Sequence, residues 1–563
     1  MDPSKLTLSG QMNMKGYAEG GPVYDSMVEM TKDPMRYNTE LLMRMLDDNK
    51  DTEYGRKYGF ADIKSVAEFQ ERVPLTTFDD YAGYVYRMTE GGESGLISAY
   101  NIAHYAKTSG TMGNPKRIPV SDRAMGVMNR YNMQLRTKVI CDAIGFDWAN
   151  PPYLNLIESQ LTTLKNGATY GAISAKVIGQ MGDYLPMLMT SPLEALVPDP
   201  KTNTRYLHAR FALMNPEITS MGFSFSSILL ELMQYIESEW EMLVDDIEKG
   251  TIDESVKMPA DVRASVLGKI QPMPERAAQL REIFSQGFDE PIMPKIWPNL
   301  TIFSGVATGG FATYYNKLRQ RYAGDGVRLF YVGLNASEGI LSVPMDVDCP
   351  DSVLIPDSVF YEFIPIDSED PGDIVTIDGV EVGKTYEIVI TNQSGFYRYR
   401  IRDAVKVTGM YNNTPMIQFQ YRIDQTISVL GEKTTELVLR GVAEHVEREL
   451  GYSMEDFSVF GDVDSVPMRY VMLMEATLPE GLDPGAVAAE LDKGLCEGNP
   501  SYGDKVAKGM LDHLRLLFLQ PETYLLYRDV MISKGAASAQ LKPPRILNEI
   551  QRRFFMALLE DDQ

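Results

Sequence analysis

At 563 residues the chain is too long for one hydrophobic core and calls for a large domain with a smaller companion. Its 44% hydrophobic and 23% charged residues are ordinary for a globular protein, but a formal net charge of -24 excludes the broad basic face that nucleic acid or an anionic membrane demands. Three scattered cysteines (Cys141, Cys349, Cys496) and four histidines, none at ligand spacing, exclude a disulfide framework and a histidine-rich metal site. With no apolar run of about 18 residues and no apolar signal core after Met1, the expected compartment is the cytoplasm.

Up to about residue 90 the chain reads as helices, with apolar residues at i, i+3 and i+4 in 23–30 and 39–46. A strand at 102–106 then runs into Thr108-Ser-Gly-Thr-Met-Gly-Asn-Pro-Lys116, which is followed by a strand at 117–120 and by Ser121 and Asp122 as a helix cap. Glycines let backbone amides approach an anion, hydroxyls add donors and the lysine adds charge, so Thr108, Ser109, Gly110 and Thr111 read as a phosphate cradle. The spacing Gly110-x-x-Gly113-x-x-Lys116 is not that of a Walker loop. Further on, a strand at 301–308, a helix at 311–322 and a strand at 327–333 form a βαβ unit with parallel strands. That unit sets Thr308, Gly309 and Gly310 beside Asn335, Ala336, Ser337 and Glu338, at the edge where open α/β sheets bind ligands. From about residue 352 short antiparallel strands are expected at 360–365, 386–391, 397–402 and 405–408. Arg422-Ile-Asp424 opens a smaller α+β section, with a helix at 434–450, strands at 457–460 and 470–474, a helix near 487–493 and a strand at 514–518.

A carboxylate beside a phosphate cradle repels it unless a cation lies between them, which makes Glu338 a candidate Mg²⁺ ligand. Strand alternation puts Tyr397, Tyr399 and Ile401 on one face and Arg398, Arg400 and Arg402 on the other; Arg398 and Arg402 read as exposed strand charge. Asp403, at the end of that strand, can accept from both hydroxyls of a ribose. The charged stretch from Arg422 to Lys433, with a short apolar strand and a Gly turn, has the character of a hinge. Near the C-terminus a small-residue loop ends in Lys542 and Arg545, where a lysine swinging in with its domain can stabilise charge building on an α-phosphate. An acyl pocket is expected between the helix after Ser121 and the strands ending at Thr308 and Gly333.

In order and distance, Thr108-Ser-Gly-Thr, Asn335-Ala-Ser-Glu and Tyr399-Arg-Ile-Arg-Asp403 resemble the three nucleotide motifs of the Gretchen Hagen auxin-responsive family of acyl acid–amido synthetases. The likeness continues through Arg422 to Glu436, Asn499-Pro-Ser-Tyr502 and Gln540-Leu-Lys-Pro-Pro-Arg545. That family lies within the adenylate-forming superfamily of acyl-CoA synthetases, peptide-synthetase adenylation domains and luciferases. The resemblance implies an α/β fold: a large N-terminal domain over 1–421 of mixed sheets, helices and a small β-barrel, a hinge at 422–426, and a smaller mobile α+β C-terminal domain over 427–563. It implies ATP and Mg²⁺ as cofactors, a small carboxylic acid and an amine (an amino acid) as substrates, and a monomer or weak homodimer. Ser109 and Thr111 would hold phosphates, Glu338 magnesium and Asp403 ribose; Thr308 and Gly309 would flank the adenine, and Lys433 or Lys542 would be mobile-domain cations. Val306, Gly333 and Leu334 would border the acyl acid. The sequence departs from the family at Leu334 (usually Tyr), Arg402 (usually Gly) and Thr108 (usually Ser), so the acids used by plant members do not transfer. Two other readings are a ligase that passes the acyl group to coenzyme A and a nucleotide-binding protein without catalysis.

Overall fold

The structure, a computed structural model, describes residues 6–107, 116–366, 368, 372–423, 426–432, 434–534 and 541–560. These residues fall into two compact units: the chain as far as residue 419 apart from 402–404, and residues 402–404 together with the chain from 420 onward.

In the first unit, the expected N-terminal helices are Leu8–Met30 and Pro34–Asn49. The strands Ile102–Lys107 and Arg117–Ser121 pair antiparallel, as expected for a strand–loop–strand element. Ser121 caps the next helix, its Oγ accepting from the Ala124 amide at 3.2 Å. That helix runs through Asp122–Met128, a π-helical segment Asn129–Leu135, and Arg136–Ile144. At the centre is a parallel sheet in the order Leu154–Leu156, Ser220–Phe225, Ile302–Val306, Arg328–Tyr331. The expected βαβ unit is its last two strands, joined through the helix Ala312–Leu318. One sheet face packs Leu154, Met221, Phe303 and Leu329 on the long helix Ser226–Lys249 through Leu229, Met233 and Ile236. Toward the other face, Ile302 and Phe330 meet Val127, Tyr131, Leu135 and Ile140 of the capped helix.

The barrel-like element takes the form of a seven-stranded half-barrel sheet, in the order Ser342–Val343, Ser352–Leu354, Thr414–Arg422, Tyr399–Tyr411, Thr385–Thr391, Phe360–Pro365, Val375–Thr376. The separate strands expected at 397–402 and 405–408 are one strand, Tyr399–Tyr411, and Asp403 lies inside it rather than at its end. Tyr397, Tyr399 and Ile401 enter one core, joined by Val405 and Val407, as alternation predicts, while Arg398 and Arg402 adopt left-handed backbone, φ 48 and 65.

The second unit is α+β. Ser453–Asp462 pairs antiparallel with Arg469–Thr477, which pairs in parallel with Arg515–Phe518. Alternation along these strands fills two cores, with Val459, Met472 and Met474 on one side and Phe460, Val471 and Leu473 on the other. The first core is closed by the helices Glu436–Leu450 and Pro484–Gly498, the second by Thr523–Ser533 and Glu549–Met556. Among the described residues, no helix is long and apolar enough to cross a membrane.

Candidate functional site

In the first unit the two last parallel strands end side by side, Gly305 against Tyr331. Just beyond them is a cavity lined by Val306, Thr308, Gly333, Leu334, Ser352 and Gln418 among others. The three residues expected at the acyl acid and one expected at the adenine therefore share one concavity. Gly333 has φ 71, and a Cβ there would stand 2.3 Å from the Ser342 carbonyl oxygen, so only glycine fits this turn. Gly309, at φ 58, begins the turn into the helix Ala312–Leu318.

The second motif follows as a hairpin. Asn335–Ala336 pairs with Gly339–Ile340, leaving Ser337 and Glu338 as its two-residue turn. Asn335 Nδ2 donates to the Val332 carbonyl at 3.1 Å, and Asn392 Nδ2 donates to the Glu338 carbonyl at 2.9 Å. Asn392 Oδ1 also accepts from the Ser394 and Phe396 amides, each at 3.0 Å, so one side chain ties the hairpin tip to the half-barrel sheet. The half-buried Glu338 carboxylate thus springs from a pinned turn. No group of three or more His, Cys, Asp or Glu residues suited to a metal occurs among the described residues. A single carboxylate on a rigid turn fits magnesium, which takes one or two protein carboxylates and fills its other positions with phosphate oxygens and water.

A second cluster lies within the second unit. Asp403, 4% exposed, accepts from Arg422 Nε at 2.9 Å. Lys542 belongs to the same group of charges: burial and the Arg422 guanidinium lower its pKa to about 8, against the opposing pull of Glu436 and Asp403. Three residues expected at the site, as far apart in sequence as Asp403 and Lys542, are thereby within electrostatic reach of one another. The Lys542 segment is anchored by Arg545, whose Nη1 pairs with Asp456 at 2.6 Å and whose guanidinium lies 4.0 Å from the centre of the Phe457 ring. The Arg545 carbonyl also accepts from the Val459 amide at 2.7 Å.

Thr108, Ser109, Gly110, Thr111 and Lys433 lie outside the described residues. On either side of Lys433 the chain is fixed. Glu432 accepts from the Val429 and Leu430 amides and the Tyr470 hydroxyl at 2.6–2.8 Å. Asn499 Nδ2 donates to the Glu432 carbonyl at 3.0 Å and to Thr434 Oγ1 at 2.7 Å.

One expectation needs correction. Arg398 is not exposed strand charge: it is 6% exposed, pairs with buried Glu362 at 3.0 Å, and donates to the Gln70 and Val73 carbonyls. Elsewhere in the first unit Ser191 Oγ and His208 Nδ1 are 2.6 Å apart. Both are buried, at 1% and 5% exposure, and burial lowers the His208 pKa to about 4, so the neutral imidazole is a satisfied part of the core. Asn392 and Arg545 acquire positioning roles that no local pattern signals, because each acts through a partner distant in sequence.

Solved ligases share this fold. A 2-hydroxyisobutyryl-CoA ligase solved in its postadenylation state superimposes with a TM-score of 0.50 over 96% of this chain and 90% of that one, at 10% identity, a likeness of fold alone. The GH3.15 acyl acid amido synthetase superimposes with a TM-score of 0.83 over 95% of each chain at 24% identity. The models of the GH3 family N-terminal, central and C-terminal domains match residues 23–328, 352–422 and 436–551. The chain belongs to the GH3 family. Among its relatives, the 4-substituted benzoates-glutamate ligase GH3.12 of Arabidopsis thaliana is 26% identical over 557 residues, covering 93% of this chain and 96% of that protein.

Proposed function

We propose that the protein is a ligase that uses ATP to convert a small carboxylic acid into an acyl-adenylate and then passes the acyl group to an amine, an amino acid, forming an amide. In the first step a carboxylate oxygen attacks the α-phosphorus and pyrophosphate leaves. In the second the amine nitrogen attacks the acyl carbon, AMP leaves, and the amine gives up a proton. The acid is itself the nucleophile, so catalysis is positioning and charge neutralisation rather than covalent chemistry on the protein.

The observation that carries this reading is the grouping of Asp403, Arg422 and Lys542, which matches a ribose acceptor with cations suited to an α-phosphate. In this reading Asp403 accepts from the ribose hydroxyls, Lys542 neutralises the α-phosphate, and Lys433 is the second mobile cation. Ser109 and Thr111, with Thr108 and Gly110, hold the β- and γ-phosphates, and Thr308, Gly309, Asn335, Ala336 and Ser337 border the nucleotide. Glu338 would hold magnesium, which when bound supplies neutralising charge to the phosphates. Val306, Gly333 and Leu334 form part of the acyl wall. Residues 422–426 act as hinge between a domain spanning 1–421 and one spanning 427–563, and the protein works in the cytoplasm as a monomer or weak homodimer. The test is pyrophosphate release that depends on a carboxylic acid, followed by product mass with amino acids and with coenzyme A. An amide mass supports the reading; a thioester, or no acid-dependent release, overturns it.

A further inference from the structure

The strand Ser453–Asp462 lies at an edge of its sheet, and its side chains alternate between two cores, Phe457 and Val459 entering one and Phe460 the other. Ser458 faces the second core with Phe460, opposite Leu473 of the neighbouring strand, and is fully buried. A hydroxyl on an apolar core face costs stability unless it is hydrogen-bonded, and an apolar side chain would serve the core as well. Here the hydroxyl is used twice. Ser458 Oγ donates to the Pro544 carbonyl at 2.5 Å and stands 2.8 Å from the Tyr524 hydroxyl. A carbonyl only accepts and serine has one proton to give, so the Tyr524 hydroxyl is the donor to Ser458. Donation therefore runs from Tyr524 to Ser458 to Pro544.

Tyr524 is itself held. It stands in the first turn of the helix Thr523–Ser533, where its amide donates to Glu475 Oε2 at 3.0 Å and the Glu522 amide donates to Glu475 Oε1 at 2.7 Å. Its ring centre is 5.1 Å from that of Phe555. At the other end of the relay, Pro544 is two residues from Lys542. Pro543 and Pro544 have no amide hydrogen, so the backbone between Lys542 and Arg545 can be tied down only through carbonyls. Beyond them the chain runs along the sheet edge: the Val459 amide donates to the Arg545 carbonyl at 2.7 Å, and the Leu547 amide to the Val459 carbonyl at 2.9 Å. Lys542 stands in the field of Arg422, Glu436 and Asp403.

We propose that Ser458 and Tyr524 are positioning residues for adenylation: their hydroxyls hold the chain at Pro544 so that the Lys542 ammonium is presented to the α-phosphate. The proposal rests on the adenylation reading and adds two residues that act on the reaction only through Lys542. Stabilising a developing charge depends steeply on placement, and a displacement of about 1 Å can cost on the order of 10²-fold in rate. A loosened lysine also gains water, so its pKa should rise from about 8 toward the ordinary lysine value. Burial and the nearby Asp456 carboxylate hold the Tyr524 phenol well above its ordinary value, so the relay itself stays protonated through that range.

The experiment measures ATP–pyrophosphate exchange across a pH series with the wild-type full chain, Ser458→Ala, Tyr524→Phe and the double variant, with thermal unfolding as the control for folding. Each single variant should lower kcat about 10-fold or more, change KM for ATP and acid by less than about 3-fold, and move the alkaline limb above about pH 8. The double variant should lose no more than the more impaired single variant, because both hydroxyls act on one carbonyl. Unchanged kcat in the folded variants, losses that multiply in the double variant, or a lower kcat with an unmoved limb overturns the proposal, the last by assigning the relay a purely structural role. Trace acetylation by acetic anhydride, read by mass spectrometry on the peptide holding Lys542, follows the same amine without substrate. If no acid supports exchange the adenylation reading fails. An upward shift of the labelling midpoint in both single variants would still support control of Lys542 by the two hydroxyls, and an unmoved midpoint would remove it.

Discussion

Near pH 8 the Lys542 ammonium titrates, because burial and Arg422 pull it down to about that value. The proton is bound below this pH and lost above it, so adenylation that needs the cation should slow as pH rises through about 8. Pyrophosphate release across a pH series checks this: Lys542→Arg should move the alkaline limb upward, and Lys542→Ala should cost on the order of 10²–10³ in rate. Arg398 is a case where residue type was legible and role was not. Three alternating arginines suggested an exposed charged edge, but Arg398 is buried against Glu362 because left-handed backbone turns it inward. Arg398→Ala should leave that carboxylate buried and unpaired and cost about 3–5 kcal/mol in urea unfolding. Arg402 has the same backbone handedness at a position where glycine is at ease, so Arg402→Gly should change stability by less than about 1 kcal/mol.

At the scale of elements, the motif-two hairpin depends on Asn392, which bonds the Glu338 carbonyl from the neighbouring sheet. Asn392→Ala should loosen the turn without removing the carboxylate, raising KM for MgATP about 10–100-fold, whereas Glu338→Ala should remove most exchange activity; steady-state kinetics with varied MgATP distinguishes them. The βαβ unit was readable because apolar runs bounded by glycines have few alternatives, and its strands do pair in parallel. The long strand Tyr399–Tyr411 was not, since a left-handed residue inside a strand looks locally like a turn. The crossing of Asn392 to Glu338, 54 positions apart, leaves no local trace.

For the whole molecule, a chain of net charge -24 has to concentrate cations where it handles a triphosphate, and Arg422 and Lys542 are grouped around Asp403. The motifs were legible as an ordered set although each is weak alone, and the family match over 23–328, 352–422 and 436–551 follows that order. Which acid enters was not legible, because the cavity at Thr308 and Gly333 is assembled from segments distant in sequence rather than from a contiguous motif. The most direct measurement is ATP–pyrophosphate exchange across a panel of carboxylic acids, run with the wild-type protein, Glu338→Ala and Lys542→Ala. Exchange that appears only with particular acids and collapses in both variants is the expected result. ATP binding with no exchange under any acid, or full exchange in either variant, would contradict it.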